Sequence, residues 1–302
     1  MDAVMVERAF VDAHGRMHWP WRLAAFGFFA VAAFLVGQLV VYPVLSLALG
    51  AAGVRFVAWP WISLFGIVVA HVLVKRGVDP HVTWAQVGLG EDATAPSRVA
   101  LGFAMGAAAI LVPSVLLWAV GWFTFEPTGH GAWLTSSVSA AMVLLPAALF
   151  EELLVRGYAF GVLTERFGAL AALVASSAVF ALMHLTNPGA TVQSLTTVAI
   201  AGVWLAAVRL ATGSLWAAFA AHFAWNAAMA LVLHARVSGF AFATPDYRMI
   251  DTGPAWATGG GWGPEGGAFA ALGMMAATAA LLARPAGRAL FTRPEGRGEI
   301  RT

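Results

Sequence analysis

The sequence predicts an all-α fold, a polytopic bundle of about eight transmembrane helices. Of 302 residues, 60% are hydrophobic and only 11% are charged, against roughly 25% charged in an average soluble domain. Apolar runs recur along the chain, most near the roughly 20 residues that a helix needs to cross the hydrocarbon. Lysine and arginine fall unevenly in the segments between those runs.

The first run, residues 22–49, follows an amino terminus carrying Asp2, Glu7 and Asp12 and lacking a short signal-like core with a cleavage site, so it reads as a retained helix. Further runs cover 56–74, 98–124, 134–160, 168–187, 191–212, 214–235 and 267–284. Pro43, Pro113 and Pro146 fall inside runs and predict local kinks. Trp19, Trp21, Trp59 and Trp61 lie near proposed span ends and read as interface anchors. The stretch 79–96, with Trp84, Val87 and Leu89 among polar residues, fits either an interfacial segment or a plain connection. The Gly, Pro and Trp-rich connection 236–266 could cover the outer mouth of a cavity, but such loops are usually just irregular, and no function is assigned to it. The chain is expected to be one integral domain, 1–302, with a core at 134–235 and a basic tail at 284–302.

Eight spans put both termini on one side. That side would hold Arg8, Arg16, Arg22, Lys75, Arg76, Arg98, Arg166, Arg209 and the tail residues Arg284, Arg288, Arg293, Arg297 and Arg301; the other would hold only Arg55, Arg236 and Arg248. The bias predicts cytoplasmic termini, and the tail then faces anionic headgroups rather than nucleic acid. A bias to Ala, Gly and Arg points to a GC-rich bacterial source and so to a cytoplasmic (inner) membrane. The chain has no cysteine, which removes disulfides, thiolate nucleophiles and cysteine metal sites.

Polar residues inside the runs carry the chemistry, because an ionisable group in a transmembrane segment is costly and marks function by default. Glu151, Glu152 and Arg156 end the fourth run; Phe180 and His184 share the fifth; His222 and Asn226 share the seventh. Residues four apart lie on one helix face, so each pair points one way. Glu151 sits about 100° around the helix from Glu152, so one carboxylate can face a cavity while its neighbour meets Arg156. A carboxylate and an imidazole can take a proton from water, and a second imidazole with an amide can stabilise an oxyanion. Phe180 reads as packing beside His184. His14, His18, His71, His81, His130 and His234 read mostly as solvated or interfacial.

Three other readings stay open at this point. Two histidines and a glutamate can hold zinc in a metallohydrolase, although the His-Glu-x-x-His helix motif is absent. Intramembrane carboxylates and histidines also build proton relays in transporters, although no repeated halves or paired broken helices are visible. The cluster could alternatively fix helix packing in a non-proteolytic scaffold.

Glu151-Glu152-x-x-x-Arg156, Phe180-x-x-x-His184 and His222-x-x-x-Asn226, in this order on successive helices, resemble the three motifs of the CPBP intramembrane glutamic proteases, the CAAX protease and bacteriocin-processing (Abi) family that includes Rce1-like endopeptidases. The resemblance implies that Glu151 and His184 activate water, that His222 and Asn226 form the oxyanion site, and that Glu152 and Arg156 are a supporting ion pair. It also implies a membrane-associated peptide or protein substrate and no requirement for a metal or other cofactor. One feature conflicts: on a helix ending near 160 Glu151 lies about 14 Å from that end, whereas His184 lies about 24 Å from a helix start near 168.

Overall fold

The computed structural model describes residues 9–12, 15–49 and 51–284, with the side chains of 48–56 left aside. Asp2, Glu7, Arg8, His14, the Arg55 side chain and the tail arginines beyond Arg284 lie outside the described residues.

The chain runs through α1 (Trp19–Val36), a π turn (Gly37–Val41), α2 (Tyr42–Leu49), α3 (Ala51–Gly77), the short α4 (Trp84–Val87) and α5 (Pro96–Ala119). Strand β1 (Phe123–Gly129) precedes α6 (Trp133–Arg156), α7 (Tyr158–Phe167), α8 (Ala169–Met183), α9 (Val192–Thr212) and α10 (Leu215–Ala227), which ends in a π turn (Ala228–Val232). Strand β2 (Asp246–Asp251), the short α11 (Ala255–Thr258) and α12 (Ala268–Leu282) complete it. All eight apolar runs are helical, but six helices among the described residues are long and apolar enough to span: Trp19–Leu47, Val57–Gly77, Pro96–Ala119, Trp133–Phe167, Val192–Thr212 and Leu215–Val232. The fifth and eighth runs form α8 and α12, each 15 residues, or about 22 Å, short of the roughly 30 Å hydrocarbon core.

The prolines are accommodated inside helices. Pro113 and Pro146 lie within α5 and α6, and Pro43 is the second residue of α2, separated by Tyr42 alone from the π turn, a local widening that absorbs a disrupted helical ladder. Strands β1 and β2 pair antiparallel, from Phe123 opposite Asp251 to Gly129 opposite Asp246. This two-stranded ribbon was not foreseen, because each half lies in a loop and its partner is more than a hundred residues away.

Close packing sets where α10 sits. Gly102 and Gly106 of α5 lie directly against the backbone carbonyls of Ala217 and Ala221, with no room for a Cβ at either. Small residues four apart let membrane helices approach this closely. The N-terminus of α10 is held by the stretch 79–96, which is neither a bare loop nor a detached interfacial segment. Its α4 is closed by a Thr83–Gln86 capping box, it buries Val82, Val87 and Ala93, Gly88 accepts the Leu215 amide at 2.9 Å, and Ala93 accepts the Ser214 hydroxyl.

The fourth run breaks at Gly157 into α6 and α7 rather than ending near 160. A Cβ there would meet the Leu153 carbonyl and stand 2.6 Å from His71 Nε2, so only glycine lets the histidine approach. His71 is buried in α3, its Nδ1 2.8 Å from the Ile67 carbonyl and its Nε2 accepting the Tyr158 amide at 3.2 Å. It is not the interfacial residue expected. The helical stretch also runs on past 160 to Phe167, so Glu151 stands seventeen residues before the turn at Gly168 and His184 sixteen after it, nearly equal in chain length.

Beside the break lies a closed ionic cluster. Asp79, fully buried, receives Arg16 at 3.3 Å, Arg22, and the Tyr158 hydroxyl at 3.1 Å. Glu165 binds Arg16 at 2.7 Å and Arg22 at 3.2 Å. Two carboxylates thus meet two guanidiniums, tying α1 to α7.

Candidate active site

Glu152 and Arg156 lie one turn apart on α6, both side chains 0% exposed, with Nη1 to Oε1 at 3.0 Å. Arg156 also donates to the Gly202 carbonyl of α9 at 3.1 Å and lies over the Phe180 ring at 4.3 Å. The same Glu152 oxygen stands 3.0 Å from His222 Nδ1 on α10. Glu152 is therefore more than a support for its neighbour, since it fixes the second histidine directly.

Glu151, 100° further round the helix, keeps 21% of its side chain exposed and faces a cavity of about 490 Å³. His184, His222 and Asn226 line that cavity with it. Glu151 Oε2 lies 3.8 Å from His222 Nε2, beyond hydrogen-bond length, and has no hydrogen-bond partner. Among the described residues no ion pair within 4.0 Å joins Glu151 to His184, so the first carboxylate is nearer the second imidazole than the one with which the motifs pair it.

His184 follows the last residue of α8, where its Nδ1 stands 2.8 Å from the Phe180 carbonyl. A carbonyl only accepts, so Nδ1 carries the proton and Nε2 is left as an acceptor. The Phe180 ring packs against both imidazoles, 4.9 Å from His184 and 5.6 Å from His222 by ring centres, and so does more than pack beside His184.

Residues outside the three motifs also line the cavity. Trp59 and Pro60 of α3, Asn187 after α8, and Val237, Ser238, Phe240 and Phe242 of the 236–266 connection all line it. Trp59, 52% exposed, stands edge-on to Phe150 at 6.2 Å, so it borders the site as well as the lipid. His81 and His130 are exposed, and His234 stacks on Tyr247 at 4.2 Å. Among the described residues no group of three or more His, Cys, Asp or Glu side chains is arranged to hold a metal ion.

Residues 132–228 match the family model described as type II CAAX prenyl endopeptidase Rce1-like. The chain carries an Rce1-like domain. That domain runs from the start of α6 to the end of α10 and so contains every residue of the three motifs. The six long apolar helices among the described residues make the chain an integral membrane protein. No curated protein matches the chain, and no solved structure does.

Proposed function

We propose that the Rce1-like domain is an intramembrane glutamic endopeptidase that hydrolyses peptide bonds of membrane-associated peptides or protein tails with Glu151, His184, His222 and Asn226. The observation that carries this reading is the convergence of all four on one cavity, with a Glu151 carboxylate oxygen left unsatisfied there.

Glu151 and the free Nε2 of His184 offer two acceptors to a water molecule, which attacks the scissile carbonyl as its proton passes to them. The carbonyl oxygen becomes an oxyanion, and Asn226 and His222 Nε2–H supply donors to it. His222 can donate from Nε2 while Nδ1 donates to Glu152 only if the ring carries both protons. In that form it also offsets the second carboxylate, since Arg156 alone offsets one. The proton held at Glu151 and His184 then passes to the leaving amine as the C–N bond breaks. No covalent intermediate and no metal enters these steps.

The family description names prenylated CAAX proteins as its substrates, and such tails are the first class to test. The arginine asymmetry supports cytoplasmic termini in a bacterial inner membrane. The deciding experiment compares wild type, Glu151→Ala and His184→Ala on membrane-anchored peptides in detergent, with and without a chelator. Loss of cleavage in both variants, with wild-type cleavage surviving chelation, is the expected result. Chelator-sensitive cleavage would favour a zinc hydrolase, and full activity in Glu151→Ala would end the glutamate assignment.

A further inference from the structure

The connection 236–266 contains a buried carboxylate that the mechanism does not use. Glu265 accepts the Trp225 indole N–H at 3.0 Å on one oxygen, and the Ser238 amide and hydroxyl, the latter at 2.8 Å, on the other. Trp225 is the immediate neighbour of Asn226 on α10, while Ser238 lines the cavity. Glu265 also borders a second cavity of about 20 Å³, shared with His184, His222 and Asn226. A buried charge needs this full complement of donors.

Glu265 holds a conformation that the chain would not adopt freely. Ser238 has φ of 50° and Gly239 φ of 85°, and the left-handed region is unfavourable for serine. Val237 and Phe240 exchange backbone hydrogen bonds across that turn at 3.0 and 2.8 Å, and Asn187 binds the Ser238 carbonyl at 3.2 Å. Gln193 of α9 fixes the rest of the connection, donating to the carbonyls of Ala255, Trp256 and Gly266. The result is a strap whose Val237, Phe240 and Phe242 form one apolar wall of the cavity.

We propose that Glu265 is a positioning residue that clasps this strap to α10, and that the strap selects substrate by the size of the apolar side chain seated against Phe240 and Phe242. The proposal rests on the proteolytic reading of the cavity. A glutamine at 265 offers one acceptor oxygen and turns an N–H toward one of the three donors, so the clasp loses a side without losing volume.

Wild type, Glu265→Gln, Phe240→Ala and Glu151→Ala are compared on anchored peptides in which one residue at a time is varied from Gly to Phe, and amide hydrogen exchange is followed over 237–242. Glu265→Gln should raise KM about tenfold with kcat within about threefold of wild type, and should speed exchange across the strap. Phe240→Ala should erode the size preference by about tenfold or more. An unchanged KM and exchange rate in Glu265→Gln, or an unchanged size profile in Phe240→Ala, overturns the proposal. Should Glu265→Gln fail to fold, the Phe240→Ala profile decides. Should Glu151→Ala still cleave, the glutamate mechanism falls, while exchange and size profile still judge the strap.

Discussion

Two polar clusters flank the break between α6 and α7, and they differ in how completely their charges are satisfied. Around Asp79 and Glu165, two carboxylates are closed by Arg16, Arg22 and the Tyr158 hydroxyl. Around Glu151 and Glu152, the Arg156 guanidinium pairs with the second carboxylate, one oxygen of each carboxylate lacks a hydrogen-bond partner, and a cavity opens beside the first. The contrast teaches that burial of charge by itself marks neither structure nor chemistry. A cluster that saturates its own hydrogen bonds cements helices together, and one that leaves an acceptor without a partner on a cavity-lining side chain is equipped to act on something else.

The largest expected effects put that distinction to the test directly. Glu151→Gln should lower turnover by about 10²–10⁴-fold, the usual range for a general base, with an unfolding midpoint in detergent close to wild type. Asp79→Ala should do the reverse, destabilising the protein by about 3–5 kcal/mol, as removing one partner of a buried ion pair does, with turnover per folded molecule retained. If both variants lose stability and activity together, the two clusters form one unit and the contrast is wrong.

A smaller effect should follow from Gly106→Val, which pushes α10 away from α5 and with it His222 and Asn226. Overpacking of this kind costs about 1–3 kcal/mol, and kinetics should show a fall in kcat larger than any change in thermal midpoint. Of similar size is Phe180→Leu, which removes the ring under Arg156 but keeps an apolar side chain; a cation–π contact in a dry site is worth about 2 kcal/mol. Calorimetry against the wild type would measure it, and a fold-neutral variant with reduced turnover would show that the ring also positions the two imidazoles it touches.

Much of this was legible in the sequence because membrane helices declare themselves locally. Each apolar run became a helix, and Glu151, His184, His222 and Asn226 stood out as polar side chains four apart, or side by side, where lipid-facing residues were expected. What escaped depends on placement in three dimensions. The α6–α7 break at Gly157 is required by a histidine eighty-six positions earlier. The β1–β2 ribbon joins two loops that carry no strand signal of their own. Trp59 reads equally well as an interface anchor until α3 brings it against Phe150. Glu265 looked like one more residue of a glycine-rich loop because its three donors come from α10 and from the far end of that loop. The difference between eight apolar runs and six long helices lies in α8 and α12, each only 15 residues long.

The bend at Gly168 behaves like the pivot of a pair of callipers whose jaws are the first acid and the first imidazole. Deleting or inserting one residue in either arm would slide one jaw by about 1.5 Å and swivel it by about 100°, parting the two tips. Natural length variation in proteins built this way should therefore collect outside the arms and spare the stretch from the acid to the imidazole.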